Sequence, residues 1–547
     1  MLRRLLTGGL AAASLAVSAP ALAQSGPTVD APSGVAVGVE QGELRVFKGL
    51  PYAQPPVGPL RWAPPKALAR WSGARDASKF GPACWQPKPR GGNIYADPLP
   101  AKSEDCLSLN IWSPKTAKKL PVMVWIHGGS LVGGAGSESL FDGTKLADQG
   151  LVVVTINYRL GVFGYLAHPG LSAESSEGIS GNYGLLDQIQ ALRWVHDNIE
   201  AYGGDPSNVT IAGESAGALS VMYLMASPRA QGLFSKAISE SAYMVTVPGL
   251  KQTTYGWPAA EAAGAFLASK LKAPDVAALR AMAPEALVDG AAANGFLPFG
   301  AVDGKVLPRQ LVETFDRGEQ AHVPILAGFN SGEIRSLRIL LPPPPSNPGE
   351  YETRIKTGYG DLADTFLKFY PANNIEESML ATTRDAMYGW TAERLAAKQA
   401  AVGQPAYLYE FDHVIPQADA QGLHGFHASE LPYVFGTLDR LPPFWPRSPK
   451  TPAEAKLSQQ MTAYWASFAR SGRPEAPGAP AWPRYGAAAA FIVFQETPKV
   501  GRNAMGGAYA LHEQVVCRRM AHGVAWNWNV GVIAPPLPPQ SPECAPH

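Results

Sequence analysis

The pentapeptide Gly213-Glu214-Ser215-Ala216-Gly217 decides how this sequence is interpreted. It lies between a β-branched run at residues 209–212 and an apolar stretch at residues 216–225, which predicts a sharp turn from a buried strand into a helix. Glycines suit such a turn because side chains flanking the serine would collide. The helix amino terminus behind Ser215 would stabilise negative charge. This context favours a nucleophile elbow over an ordinary glycine-rich turn.

Other buried strands are predicted on both sides of this turn. Continuous apolar runs, without the alternation of half-exposed strands, suit strands buried on both faces of a largely parallel sheet. They are at residues 122–126, 152–156, 237–238, 323–327 and 407–411. An amino-terminal hairpin, a helix and two helix-rich insertions are predicted at residues 35–53, 185–202, 250–295 and 350–400. The predicted fold class is therefore α/β, a largely parallel central sheet with helices on both faces and helical insertions.

Composition indicates a loop-rich globular protein. Gly 56 and Pro 51 amount to 107 of 547 residues, but 46% of the residues are hydrophobic and only 17% are charged, which excludes a disordered chain. Lys+Arg 46 nearly balances Asp+Glu 45, and no block of like charges occurs. The chain therefore has no electrostatic footprint for a nucleic-acid partner.

The first 23 residues have the pattern of a secretory signal peptide. Arg3 and Arg4 precede an apolar stretch at residues 5–17, and Ala21-Leu22-Ala23 has the small residues of a cleavage site. The apolar stretch is too short for a membrane span, so we expect cleavage after about Ala23 and a secreted or periplasmic protein without stable membrane insertion. The expected domains are residues 24–534 and a Pro-rich tail at residues 535–547.

A nucleophilic serine needs a base, and the base needs an orienting acid. In α/β hydrolases these follow the serine in the order acid, then histidine. Glu333 follows the predicted strand at residues 323–327, and two histidines, His424 and His427, follow the strand at residues 407–411. Position nominates Glu333 as the acid and leaves both histidines open as the base. Asp412, which ends the strand before the histidines, is a competing acid.

Backbone N–H groups for an oxyanion are predicted in a second loop. His127-Gly128-Gly129-Ser130 leaves the predicted strand at residues 122–126 as a glycine-rich turn, like the HGGG motif of esterases. The candidate oxyanion-hole residues are therefore Gly128, Gly129 and Ser130, together with Ala216 beside the nucleophile.

Together with further motifs, this pattern resembles the type-B carboxylesterases, a cholinesterase-like family with the α/β-hydrolase fold. The resemblance extends from about residue 35 to residue 530. The matching stretches are Phe47-Lys48-Gly49-Leu50-Pro51-Tyr52-Ala53, Glu104-Asp105-Cys106-Leu107-Ser108-Leu109-Asn110-Ile111-Trp112, Asn157-Tyr158-Arg159, Gly181-Asn182-Tyr183-Gly184-Leu185-Leu186-Asp187-Gln188, Gly203-Gly204-Asp205-Pro206 and Leu431-Pro432-Tyr433-Val434-Phe435-Gly436.

The resemblance implies a serine carboxylic ester hydrolase that forms an acyl-enzyme on a small-molecule ester and needs no cofactor or metal. The family's histidine lies nine residues before Gly436, which selects His427 over His424. Glu333 matches the family's acid, although Gly332 replaces the acidic residue that usually precedes it. In the oxyanion hole Gly129 and Ser130 join Ala216, with Ser130 where glycine or alanine is common.

Residues outside the triad are also implied by the resemblance. Glu214 and Ser241 are expected to support the triad, and Cys84 and Cys106 match the family's amino-terminal disulfide. Two other cysteines, Cys517 and Cys544, remain open as a pair bridging the tail.

Three alternatives remain beside the esterase hypothesis. The first is a cholinesterase-like binding module that has lost catalysis, although such relatives usually lack a triad residue. The second is an amidase or acyltransferase that uses the same triad. The third, a metal site at His424 and His427, lacks a convincing third ligand. Neither the particular ester nor the oligomeric state follows from the sequence.

Overall fold

The structure is a computed structural model that describes residues 26–88, 91–527 and 529–544. The predicted signal peptide and the last residues of the predicted tail lie outside this part of the chain. Among the residues that are described, no helix is long and apolar enough to cross a membrane.

Strands of the described residues form three sheets, the largest of which has eleven strands. In chain order the strands are β1 Thr28–Ala31, β2 Gly34–Val37, β3 Val39–Gln41, β4 Leu44–Pro51, β5 Ala74–Asp76, β6 Ala83–Cys84, β7 Lys102–Ser103, β8 Ser108–Pro114, β9 Leu120–Ile126, β10 Val152–Ile156, β11 Gly204–Glu214, β12 Lys236–Glu240, β13 Ile325–Asn330, β14 Ala406–Phe411, β15 Ala490–Phe494 and β16 Lys499–Arg502.

The large sheet has a parallel centre and antiparallel edges. Its order is β16-β15-β14-β13-β12-β11-β9-β10-β8-β4-β3. The strands from β10 to β15 in this order are parallel to one another. The flanking strands β8, β4 and β3 on one side, and β16 on the other, pair antiparallel. The predicted largely parallel sheet is therefore confirmed.

Helices cover this sheet and fill the insertions. In chain order the α-helices are α1 Thr144–Asp148, α2 Gly161–Tyr165, α3 Pro169–Glu174, α4 Tyr183–Asn198, α5 Ala216–Ala226, α6 Ala260–Lys270, α7 Val276–Ala281, α8 Pro284–Ala293, α9 Leu311–Asp316, α10 Pro348–Tyr359, α11 Ala363–Phe369, α12 Ile375–Arg384, α13 Trp390–Ala401, α14 Pro416–Asp419, α15 Leu431–Val434, α16 Pro452–Ser471 and α17 Tyr509–Ala521.

The core lies on both faces of the sheet. In β9, Val122 and Val124 pack with α4 and α5 on one face, whereas Met123 and Trp125 pack with α16 on the other. Successive side chains of a strand point to opposite faces, so both sets must be apolar when both faces are covered. This double burial explains why the sequence shows a continuous apolar run instead of alternation.

Some predicted boundaries differ from the observed ones. The strand predicted at residues 323–327 runs instead over Ile325–Asn330, because Pro324 has no N–H to donate to the ladder. The predicted hairpin is present as β3 and β4, with Gln41 opposite Leu44, but the preceding strand β2 belongs to a separate small sheet. Three strands of the large sheet, β8, β15 and β16, were not predicted.

Two disulfides cross-link the described residues. Cys84 is bonded to Cys106, as the resemblance implies, and Cys517 is bonded to Cys544. The second bond attaches the end of the Pro-rich tail to α17, and Cys544 is buried there. The pairing that the sequence left open is therefore present in the structure.

Candidate active site

The predicted sharp turn is present between β11 and α5. Ser215 joins the two elements with φ +56° and ψ −120°, a strained conformation for a residue with a side chain. A Cβ atom on Gly217 would lie 2.0 Å from the carbonyl oxygen of Ile126, and one on Gly213 would lie 2.6 Å from the carbonyl carbon of Gly217. Both glycines are therefore required by the close packing of this turn against β9.

His427 and Glu333 are in direct contact. The Nδ1–H of His427 donates a hydrogen bond to Oε2 of Glu333, whose other oxygen accepts the N–H of Asn330 at 2.8 Å. Glu333 is fully buried just beyond the end of β13, and His427 is buried in the loop that precedes α15. Loops after two adjacent parallel strands thus bring these residues together although 94 positions separate them.

A second carboxylate faces the other ring nitrogen. Nε2 of His427 lies 3.0 Å from Oε1 of Glu214, the residue immediately before Ser215. Burial lowers the pKa of His427, whereas the nearby carboxylates of Glu214 and Glu333 raise it. The carboxylates have the larger combined effect, and the pKa of His427 is raised to about 9. Burial also raises the pKa of Glu214 well above its usual range. His427 and Glu214 therefore form a tightly coupled pair that competes for a proton.

The competing candidates lie elsewhere. The side chain of His424 is 43% exposed, and its Nε2 is 3.9 Å from Asp419. Asp412 accepts a hydrogen bond from Gln495 at 2.7 Å, beside the end of β15. Neither residue makes a hydrogen bond or ion pair with His427 in the part of the chain that the structure describes. The structure thus brings together Glu333 and His427, not Asp412 or His424.

The glycine-rich loop after β9 lies against the elbow. A Cβ atom on Gly128 would lie 3.2 Å from Cβ of Ser215. Gly129 and Ser130 both have positive φ, +101° and +58°, which explains why a residue without a side chain suits this turn. The N–H groups of Gly129, Ser130 and Ala216 donate no hydrogen bond to any residue described. They are therefore available to an oxyanion.

His127 holds this loop in place. Its ring stacks on that of Tyr158 with 4.6 Å between centroids, and the Tyr158 hydroxyl donates to the His127 carbonyl at 2.9 Å. Burial lowers the pKa of His127 to about 4, so the ring is neutral at physiological pH. His127 thus supports the loop and adds no charge to it.

Two residues expected to support the triad differ in their contacts. Glu214 lies against both His427 and Gly128. Ser241 is fully buried with φ +49°, but its hydroxyl makes no hydrogen bond with the described residues. The Ser215 hydroxyl likewise makes none, because Nε2 of His427 faces Glu214. Catalytic hydrogen bonds are often absent before substrate binds.

Sequence reasoning missed several buried residues near His427. Glu430 accepts a hydrogen bond from Nδ2 of Asn330, and burial raises its pKa to about 7. Tyr388 packs on the His427 ring with 5.2 Å between centroids and lies on a π-helical turn, Asp385–Gly389. Such turns often occur at functional sites. One signal was visible for Glu430, a lone carboxylate within an apolar stretch, but none marked Tyr388.

Comparisons with known proteins agree with this geometry. Residues 25–509 match the model of the Carboxylesterase family. The chain is 39% identical over 466 residues to a fumonisin B1 esterase from Sphingopyxis macrogoltabida, which covers 83% of each chain. It is 38% identical over 464 residues to a para-nitrobenzyl esterase from Bacillus subtilis (strain 168), covering 82% of this chain and 90% of that protein.

Solved structures show the same fold. A PNB esterase matches with a TM-score of 0.76 and 33% identity, over 88% of this chain and 98% of its own. A carboxylesterase from Geobacillus stearothermophilus matches with a TM-score of 0.75 and 34% identity, over 88% of this chain and 99% of its own. The chain therefore belongs to the carboxylesterase family and has the α/β-hydrolase fold. It is a carboxylic ester hydrolase, as its motifs predicted, and its substrates are small-molecule esters.

Proposed function

We propose that ester hydrolysis in this protein proceeds through an acyl-enzyme on Ser215, with His427 as the base and Glu333 as the acid. The observation that carries the proposal is the contact between Glu333 and His427 in the loop beside the serine elbow. In this arrangement the Glu333 carboxylate fixes the tautomer that carries its proton on Nδ1, so Nε2 is the nitrogen that accepts the serine proton.

The reaction has two halves. Ser215 Oγ attacks the ester carbonyl while Nε2 of His427 takes its proton, and the resulting oxyanion accepts hydrogen bonds from the N–H groups of Gly129, Ser130 and Ala216. The protonated His427 then gives its proton to the leaving alcohol as the carbon–oxygen bond breaks. Water then attacks the acyl-enzyme while His427 takes one of its protons. His427 returns that proton to Ser215 Oγ as the bond between the acyl carbon and Oγ breaks and the carboxylic acid leaves.

Before the first step, Nε2 of His427 must lose its contact with the Glu214 carboxyl and accept a hydrogen bond from the Ser215 hydroxyl. It must also be unprotonated, and burial of Glu214 favours moving the shared proton onto that carboxyl group. We infer that binding of an ester next to Glu214 further disfavours the carboxylate and so frees the imidazole.

Covalent labelling tests the nucleophile. A fluorophosphonate should modify Ser215 in the wild-type protein, and peptide mass spectrometry should locate the adduct there. Ser215→Ala should bind no label and hydrolyse no ester while keeping the wild-type melting temperature. A label on another serine, or k_cat above a tenth of the wild-type value in Ser215→Ala, contradicts the assignment. Product analysis with water, amine and alcohol acceptors separates hydrolysis from amidase or acyl-transfer activity.

We also propose that the protein is exported after cleavage near Ala23. The two disulfides support this proposal, because such bonds persist in oxidising compartments. Amino-terminal sequencing of the protein from the periplasm and the medium tests it, and an intact amino terminus in the cytoplasm contradicts it.

Two similar esterases are named for their substrates, which suggests the esters to test on this protein. We propose testing a panel that includes para-nitrobenzyl esters and fumonisin B1, with kcat/KM as the measure.

A further inference from the structure

Three successive peptide carbonyls of the histidine loop each accept a hydrogen bond from a residue outside that loop. The pairs are Gly332 N–H to Gly425 O at 2.7 Å, Asn330 Nδ2 to Phe426 O at 2.8 Å, and the Tyr95 hydroxyl to His427 O at 3.0 Å. The first two donors belong to the segment that carries Glu333. The third comes from a distant part of the chain, 332 positions away. Tyr95 therefore provides a separate attachment for the main chain of the proposed base.

The Tyr95 hydroxyl has two partners. Its oxygen lies 3.0 Å from the carbonyl oxygen of His427 and 2.7 Å from Oγ of Ser336. A phenol has one proton and a carbonyl can only accept, so the proton satisfies His427 while Ser336 donates to the phenol oxygen. Burial raises the pKa of Tyr95 well above its usual range, so the hydroxyl keeps this proton throughout the working range of pH.

The surroundings of Tyr95 hold its ring in place. Its ring meets that of Trp445 edge to face with 5.7 Å between centroids, and that of His427 with 6.4 Å. Asp97, two residues after Tyr95, also fixes this segment: its carboxylate accepts a hydrogen bond from the N–H of Ser139 at 2.5 Å. The disulfide of Cys106 anchors the segment further on. Tyr95 is thus a fixed donor that the rest of the fold supports.

The peptide that Tyr95 contacts is conformationally strained. Ala428, directly after His427, has φ +67°, a left-handed conformation that is unfavourable for a residue with a Cβ atom. Rotation of the peptide between His427 and Ala428 would relieve this strain and would turn the His427 carbonyl away from Tyr95. The hydrogen bond from Tyr95 opposes that rotation.

We propose that Tyr95 is a positioning residue for His427, holding the histidine backbone so that the imidazole stays bonded to Glu333 beside the turn that carries Ser215. The inference rests on the proposed triad function. Because the Tyr95 hydroxyl is occupied by His427 and Ser336, it is directed at the protein and not at substrate. Its loss should therefore lower k_cat and leave KM unchanged.

Steady-state kinetics of Tyr95→Phe test the proposal. This variant keeps the ring contacts and removes only the hydroxyl. We expect kcat to fall about tenfold with KM within twofold of wild type, the size expected for the loss of one hydrogen bond. The rate of phosphonate labelling at Ser215 should fall by a similar factor, since it depends on the same base.

Tyr351→Phe is the matched control. The Tyr351 hydroxyl donates to the carbonyl of Tyr370 at 2.9 Å, so this variant also loses a bond from a phenol to a backbone carbonyl, at a site away from His427. Its k_cat should stay within twofold of wild type, whatever its effect on the melting temperature. The double variant Tyr95→Phe/Ala428→Gly should recover k_cat to within about threefold of wild type, because glycine adopts the left-handed conformation readily.

Several results would overturn the proposal. They are a k_cat of Tyr95→Phe within twofold of wild type, an effect on KM alone, an equal loss of k_cat in Tyr351→Phe, and no recovery in the double variant. If Tyr95→Phe does not fold, Ser336→Ala takes its place, with an expected loss of about threefold in k_cat, and an unchanged k_cat overturns the proposal. Activity in Ser215→Ala would refute the triad itself, whereas an inactive Ser215→Ala with a normal Tyr95→Phe would refute only the role of Tyr95.

Discussion

His427 Nε2 lies 3.0 Å from Oε1 of Glu214, while Nδ1 of the same ring faces Glu333. The imidazole is therefore held between two carboxyl groups, one of them adjacent in sequence to the proposed nucleophile. This arrangement gives Glu214 two opposing effects. As a carboxylate it holds the proton on His427, and as a neutral carboxyl it leaves the base free.

Glu214→Gln should move the pH profile to lower pH. The proposed base must be unprotonated, so kcat/KM should rise as pH passes the pKa of His427, which the two carboxylates raise to about 9. Removing the charge of Glu214 lowers that pKa, and the rising limb should shift down by about one pH unit. Rates from roughly pH 5 to 10 measure the shift. Glu393→Gln is the control and should not move the limb, because this buried carboxyl accepts the hydroxyl of Tyr485 at 2.9 Å and has no contact with His427 or Glu214 among the described residues.

The two histidines should differ sharply when each is replaced. His427→Ala should lower k_cat at least about 10³-fold, approaching the loss in Ser215→Ala, because residues of a triad act as a unit. His424→Ala, in the same loop but with an exposed side chain, should stay within about threefold of wild type. Turnover numbers and far-ultraviolet circular dichroism measure both variants. Equal losses in two folded variants would leave the base unassigned.

The acid can be tested in the same way. Glu333→Gln should lower k_cat by roughly 10³–10⁴, since the tautomer preference and the stabilisation of the imidazolium are both lost. Asp412→Asn should leave k_cat nearly unchanged and cost about 1 kcal/mol of unfolding free energy through its bond to Gln495. Kinetics and thermal melts decide between them, and a collapse of k_cat in a folded Asp412→Asn would transfer the role to Asp412.

The elbow glycines should tolerate no side chain. A Cβ atom at Gly217 would lie 2.0 Å from a backbone oxygen of β9, which cannot move without disturbing the sheet. Gly217→Ala should therefore destabilise the protein by about 3 kcal/mol or prevent folding. Gly486→Ala is the control, because no atom lies within 4 Å of its added methyl group. Chemical denaturation measures both, and equal stabilities would contradict the packing argument.

Removal of either disulfide should lower the stability of the protein, but only removal of the Cys84–Cys106 bond should also lower its activity. Replacing Cys517 and Cys544 by serine opens a link of sequence separation 27 and should remove about 3 kcal/mol of unfolding free energy with k_cat unchanged. Replacing Cys84 and Cys106 should have a similar effect on stability, and it should also lower k_cat because Tyr95 lies in the segment they close. Unfolding curves and kinetics on both double variants test this difference. Identical k_cat values would contradict it.

Much of the fold could be predicted from sequence, because a strand buried on both faces of a sheet needs apolar residues at every position. Strands β9 and β10 appear as continuous apolar runs for this reason, and the turn at Ser215 is marked by glycines that the packing requires. Strand β15 was missed because its five residues follow a run of alanines, and short apolar runs do not distinguish strand from helix.

The site was predictable as far as chain order and family spacing carry information. Order after the strands nominated Glu333 and left both histidines open, the family's spacing before Gly436 selected His427, and the coordinates place His427 against that carboxylate. His427 contacts Glu214 and Tyr95, which lie in segments far from it in sequence. No local sequence pattern predicts such contacts. The catalytic roles themselves stay predictions until the variants are measured.

The edges of the large sheet have a consequence for the protein at high concentration. Strand β3 has three residues, and β16 has four that are largely exposed and include Lys499 and Arg502. An edge strand offers unpaired backbone groups to any other extended chain, and short charged edges discourage such pairing. The long sheet that carries the site is thereby protected against growing by strand addition into an aggregate.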